Sequence, residues 1–244
     1  MKNKKSQLTV FVIVAVIIAG LILTAMFYRP KEDIKPNLNK IDPISAFVTD
    51  CIKQTGEDAV YYIGYTGGYF NSPNLSTDDN IAYYFDGNND LMPSKETMEN
   101  QLSLYMDNMM FFCTKNFIDF PDYNITQGDI KTKTTIKNNS VSFSVNYPLT
   151  ISKLNNNYRL DKFDDAEIPV RLGVVYTTLR EMMDEQMFNK KEICLTCMLK
   201  LALANKLTVD MNDREDKVVL FTITDPSSNI KSKEYKFNFA NKYE

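Results

Sequence analysis

Residues 8–28, LTVFVIVAVIIAGLILTAMFY, form one apolar run without a charge. As an α-helix its 21 residues would extend about 31 Å, the thickness of a bilayer's hydrocarbon core. No later stretch repeats the pattern. The run therefore predicts a single transmembrane helix at 8–28, preceded by a cytoplasmic tail at 1–7 and followed by one large body. It is too long for the apolar region of a cleaved secretory signal, and Leu23-Thr24-Ala25-Met26 provides no small-x-small cleavage site.

Lys2, Lys4 and Lys5 lie before the run and favour an amino terminus held inside the cell, with the body outside. Residues 29–43 contain three prolines and seven charges, a composition that predicts an extended stalk. Beyond the three leading lysines, 25 basic residues face 31 acidic ones, a balance of −6. A body of that charge argues against nucleic acid as a partner, since phosphate recognition needs a concentrated basic surface. The expected partners are the lipid bilayer through 8–28 and other envelope or surface proteins. The expected location is the cell membrane, single-pass, with the body extracytoplasmic.

Four cysteines, Cys51, Cys113, Cys194 and Cys197, all follow the apolar run. An even number in an oxidising compartment predicts disulfides. Three sequons, at Asn74, Asn124 and Asn138, are candidate glycosylation sites on the same topology.

Apolar residues recur at helical spacing from Ile44 to Ile63 (Ile44, Phe47, Val48, Cys51, Ile52, Ala59, Tyr62, Ile63), with Asp42-Pro43 as a start signal and Gly64, Gly67 and Gly68 as stops. Ser94 caps a second helix to about Cys113, with Met98, Leu102, Tyr105, Met106 and Met109 on its apolar face. The period then changes to two. Residues 129–136 and 140–147 predict a hairpin, with Val141, Phe143, Val145 and Tyr147 on one face. Further helices are predicted at 172–188 and 193–204, a second hairpin at 207–211 and 217–224, and a last strand at 235–239. Long crossovers between parallel strands are absent. The order predicts an α+β fold: an N-terminal transmembrane helix followed by an exterior domain, residues 44–244, with a disulfide-linked helix pair and a mostly antiparallel sheet. A division into lobes 44–120 and 121–244 is the alternative organisation.

Packing the first two long helices antiparallel would bring Cys51 to Cys113, and the short spacing of Cys194 and Cys197 leaves them to each other. With no histidine in the chain, Ser-His-Asp and Cys-His catalysis are excluded, as are histidine-ligated metals. There is no P-loop or dinucleotide fingerprint. Asp86-Gly-Asn88-Asn-Asp90 opens like a calcium loop, but Leu91 and Thr97 occupy the positions of its turn glycine and bidentate glutamate. Asp78-Asp79 and Asp164-Asp165 are adjacent acids in polar segments, which ordinarily are solvated. No catalytic, cofactor or metal residue is therefore assigned, and no cofactor is expected. Cys194-Leu-Thr-Cys197 is the one pair with chemical promise, as a dithiol at a helix start.

Lys4-Lys-Ser-Gln-Leu-Thr-Val-Phe11 and the apolar run after it resemble the class III signal segments of archaeal pilin-like and archaellin-like proteins. Lys5, Ser6 and Gln7 match that pattern, which implies processing at Ser6 and Gln7; Phe11 stands where many pilins carry glutamate. The remainder resembles uncharacterised single-span surface proteins of small-genome archaea, on Phe47-Val-Thr-Asp-Cys51, the Gly64–Tyr69 stretch, Cys113, Ile168-Pro-Val170 and Phe237-Asn-Phe-Ala-Asn-Lys-Tyr243. The expectation is a membrane-anchored extracytoplasmic protein serving as a non-enzymatic interaction or envelope-assembly module. Two alternatives stand beside it: a pilin-like filament subunit, and a thiol-disulfide oxidoreductase using Cys194 and Cys197.

Overall fold

A 25-residue helix, α1 (Asp42–Thr66), is the element on which both sheets are assembled. The computed structural model describes residues 42–154 and 156–243, together with Ile18. Residues 42–243 fall within one compact unit, Asn39–Glu244. After α1 come β1 (Tyr83–Asp86), β2 (Asn89–Asp90), α2 (Lys95–Thr114), β3 (Asn124–Gln127), β4 (Lys131–Ile136), β5 (Val141–Lys153), β6 (Asn156–Lys162) and β7 (Ala166–Ile168). Then follow α3 (Leu172–Phe188), α4 (Leu195–Ala204), β8 (Thr208–Asp213), β9 (Val218–Ile230) and β10 (Lys233–Lys242).

The strands form two five-stranded sheets. The first has the order β2-β1-β10-β9-β8, antiparallel except that β1 runs parallel to β10, with Tyr83 opposite Ala240. The second is organised around β5, which pairs with β4 and β3 along one edge and with β7 and β6 along the other. Val141, Phe143, Val145, Tyr147, Leu149 and Ile151 of β5 are all buried, the period-two pattern of a strand with one covered face. Between Asn146 and Leu149 the register with β6 shifts. Pro148 lies in that interval and has no N–H to contribute to a ladder.

Helix α1 packs on β10 of the first sheet and on β5 and β7 of the second. Close approach on both sides falls at glycines. A Cβ on Gly56 would lie 3.1 Å from the Phe143 ring, and one on Gly64 would lie 2.6 Å from the carbonyl oxygen of Lys236. Gly64 is thus inside the helix and serves packing; the stop is supplied by Gly67 and Gly68, both at positive φ, with Gly68 N–H donating to Ile63 O at 2.6 Å. Helix α2 crosses α1 with Cys51 bonded to Cys113 at one end and the Tyr62 and Tyr105 rings 5.5 Å apart further along, so the pair is antiparallel. Ser94 accepts from Thr97 N–H and caps α2, which closes on Lys115 in the left-handed region.

Several expectations are corrected. A single predicted sheet is in fact two, and one of them is mixed because β1 joins β10 in parallel. Apart from Ile18, the transmembrane helix expected at 8–28 lies outside the described residues, as do the tail and the processing residues Ser6 and Gln7. Among the described residues, no helix is long and apolar enough to cross a membrane. The longest, α1, carries Asp50, Lys53, Glu57 and Asp58 within its span. The lipid bilayer as a partner, the single-pass cell-membrane location with its extracytoplasmic body, and the function of a membrane-anchored envelope module rested on that helix, and the described structure does not support them.

Candidate functional site

Helix α4 starts at the second disulfide. Cys194 is its N-cap, and Cys194 Sγ accepts from the backbone N–H of Cys197 at 3.3 Å. The Thr196 hydroxyl lies 3.7 Å from the same sulfur. Cys194 and Cys197 are bonded, and both are partly exposed. A helix start presents unpaired N–H groups and the positive end of the helix dipole, so a thiolate left on Cys194 when the bond opens is held by the Cys197 N–H.

The approach to this start is braced by a buried amide. Gln186, near the end of α3, donates from Nε2 to Asn189 O at 3.0 Å and to Glu192 O at 3.4 Å, closing the 189–193 loop onto its own helix. Its Oε1 accepts from the Tyr243 hydroxyl at 2.9 Å, and that hydroxyl accepts from Asn241 Nδ2 at 3.2 Å. Burial, partly countered by the Asn241 hydrogen bond, pushes the Tyr243 phenol up to about 12. Lys190 donates to Asn88 O at 3.0 Å and ties the loop to the β1–β2 turn. Sequence reasoning missed Gln186 as a positioning residue. The available signal was a glutamine at a buried helical position, 3.6-periodic with Met182, Met183 and Leu179.

The far end of α4 is held by Arg171, which donates to Asn205 O at 3.2 Å. The inner face of α4 buries Met198 and Ala202. Its outer face leaves Leu195 at 47%, Leu199 at 48% and Leu203 at 69% exposure, and Phe188 just before the loop is at 91%.

The other disulfide is placed differently. Cys51 is buried in the α1–α2 interface and belongs to the main core. With all four cysteines paired in two separate bonds, they do not gather into a thiolate set for zinc, and among the described residues no group of three or more His, Cys, Asp or Glu is placed to hold a metal ion. The calcium-like segment is the β1–β2 hairpin, in which Asp86 faces Asn89 and Gly87 has φ 59°. Its Asp90 carboxylate is occupied by Arg180 at 2.6 Å and by Met92 N–H at 3.1 Å.

An open cavity of about 560 Å³ lies beside β1 and the β8–β9 turn, lined by Asp78, Asp79, Asp213, Arg214, Glu215 and Asp216 among others. Asp79 pairs there with Arg214 at 3.7 Å, and the surroundings are too open to exclude water. Asp164 and Asp165 are exposed and sit elsewhere, after β6. The sequon residues Asn74, Asn124 and Asn138 are all exposed. Comparison with protein-family models, with characterised proteins and with solved structures finds no match.

Proposed function

We propose that this protein is a thiol–disulfide exchange domain whose reactive pair is Cys194 and Cys197. The observation that carries the reading is the Cys197 N–H directed at Cys194 Sγ on the first turn of a partly exposed helix. In the reaction a partner thiolate attacks Cys194 Sγ, the Cys194–Cys197 bond breaks, and the Cys197 sulfur leaves and takes a proton from water. A second partner thiolate then attacks the partner sulfur bound to Cys194. Cys194 leaves as a thiolate accepting the Cys197 N–H, and the partner has gained a disulfide. Two electrons pass from the two partner thiols to the domain; of the two protons those thiols release, one is balanced by the proton Cys197 takes up, and the other stays in the solvent for as long as Cys194 remains a thiolate. The reverse sequence reduces a partner disulfide.

The domain does not have the βαβ setting of thioredoxin-like proteins. Helix α4 follows another helix and leads into β8, which pairs antiparallel with β9. The chemistry therefore rests on the local geometry of the helix start and not on a shared fold.

The test is selective opening. The intact protein is equilibrated in glutathione redox buffers, free thiols are trapped by alkylation, and the positions are mapped by mass spectrometry. Cys194 and Cys197 are expected to open well before Cys51 and Cys113. Insulin reduction driven by dithiothreitol is expected to be accelerated by the protein and lost in Cys194→Ser. A Cys194–Cys197 bond no more reducible than Cys51–Cys113, with no Cys194-dependent turnover, overturns the proposal.

A further inference from the structure

We infer that the exchange site takes an acidic, leucine-type apolar polypeptide segment carrying a cysteine, docked along the outer face of α4; this rests on the exchange reading above. Leu195 lies between the two cysteines, and Leu199 and Leu203 follow at four-residue spacing, which places the three in one row leading away from the disulfide. Each is about half exposed or more, so the row has no cover within the described residues. Apolar side chains aligned on a reactive bond provide contact area for a partner's own apolar side chains beside its thiol.

Charge selects among apolar partners. Residues 190–206 contain Lys190, Lys191, Lys200 and Lys206 against the single acid Glu192, in a chain whose overall charge is −3. Lys191, Lys200 and Lys206 are exposed. Among the described residues none of these three forms an ion pair. Lys200 adjoins Leu199 and Lys206 lies just past the end of the helix, so the leucine row is bordered by positive charge. A polypeptide that pairs leucines with glutamates matches both features, and one that pairs them with lysines is repelled.

The experiment uses the full protein in its oxidised form and three synthetic peptides of equal length, each with one central cysteine. One carries leucine and glutamate, one leucine and lysine, one glycine and serine. Rates of mixed-disulfide formation are corrected for each peptide's thiolate fraction and compared with the rate for glutathione. The leucine–glutamate peptide is expected to react about tenfold or more faster than either of the others, with the advantage over the lysine peptide shrinking as salt is raised. Leu199→Ser/Leu203→Ser is expected to lose the preference over glycine–serine, and Lys191→Glu/Lys200→Glu to invert the charge preference. Equal rates for the three peptides, alongside normal opening by glutathione, overturn this inference and leave the exchange reading standing. Absence of reaction with glutathione as well overturns the exchange reading itself. A dimer in sedimentation velocity that is lost in Leu199→Ser/Leu203→Ser also overturns the inference, because a second copy would then cover the row.

Discussion

Arg171 and Asp225 form a two-point ion pair across the molecule: Arg171 Nε donates to one Asp225 oxygen at 3.1 Å and Nη2 donates to the other. Asp225 is fully buried, on β9 where residues 226–228 bulge out of register with β10. Ser227 N–H and the Ser228 hydroxyl complete its shell, at 3.0 and 2.5 Å. Burial alone would raise the Asp225 carboxyl, but the hydrogen bonds from Arg171, Ser228 and Ser227, with the Arg171 charge, outweigh it and hold the group below the usual carboxylate range. Because Arg171 also reaches Asn205 O, the pair ties β9 to the start of α3 and the end of α4.

Removing one partner strands the other. Arg171→Met leaves a buried carboxylate without its counter-charge and is expected to lower unfolding free energy by about 3–5 kcal/mol, read from urea denaturation at neutral pH. The linkage has a definite sign. With its folded value depressed, Asp225 contributes stability above the unfolded carboxylate pKa of about 3.9 and loses it as pH falls through the folded value. Wild type should therefore lose stability on acidification more steeply than Asp225→Asn. Parallel curves for the two proteins would contradict the assignment.

Gly64→Ala tests the packing of α1 on the first sheet. The new Cβ would sit 2.6 Å from Lys236 O and 2.9 Å from the Tyr235 hydroxyl, so β10 has to move. The gain in helix propensity, about 1 kcal/mol, is expected to be outweighed by an overpacking cost of about 1–3 kcal/mol, giving a net loss or at best no gain. A clearly raised melting temperature would refute the close approach.

Alkaline stability should depend on buried phenols. Tyr243 is pushed up to about 12 by burial, with Asn241 acting in the opposite direction, and burial also raises Tyr235 and Tyr84. A phenol raised in the folded state contributes stability that is complete below the unfolded value of about 10 and is lost as pH climbs through the folded value. Spectrophotometric titration should show these three tyrosines ionising only with unfolding. Tyr243→Phe leaves Gln186 Oε1 without its donor at a cost of about 1–3 kcal/mol. Faster amide exchange at 189–193 would be its local signature.

Much of this architecture is legible in the chain because burial leaves a period. The spacing in α2 points to Met98, Leu102, Tyr105, Met106 and Met109; the first four are buried, Met109 is partly buried against the same core, and Met110 beside it is fully buried, a one-residue drift that a 3.6 period permits. The alternation in β5 is equally direct. Other features depend on partners far along the chain. Residues 156–162 are a strand because β5 is long enough to pair beyond its turn with β4, yet their own pattern is mostly exposed. The parallel pairing of β1 with β10 joins residues more than 150 positions apart, Tyr83 with Ala240, with no turn signal to announce it. Gly64 reads as a stop because glycine usually is one; only the neighbouring carbonyl shows why it stands inside a helix. At the candidate site the two cysteines were visible, but Gln186 and the half-exposed leucine row emerge only once α3 has buried one face and left the other open.

The two disulfides should differ sharply in what they contribute to stability. Cys51 and Cys113 are 62 residues apart in sequence, and a bond across them restricts a long loop of the unfolded chain. Chain-entropy arithmetic gives about 4 kcal/mol for that loop, an upper figure because denatured chains retain structure. The bond also lies at one end of the α1–α2 interface, where Phe47 packs edge to face against Phe117 and Phe120, so its loss exposes a core boundary. Cys194 and Cys197 are separated by 3 positions, and the same arithmetic leaves them below about 2 kcal/mol. A bond that costs the fold little to break is one that can open and close in exchange while the rest of the domain holds. Cys51→Ala/Cys113→Ala is therefore expected to shift the urea midpoint strongly downward, and Cys194→Ala/Cys197→Ala to shift it slightly. If the second pair matched the first in its effect, opening it would unfold the surrounding helix, and exchange chemistry at α4 would lose its structural basis.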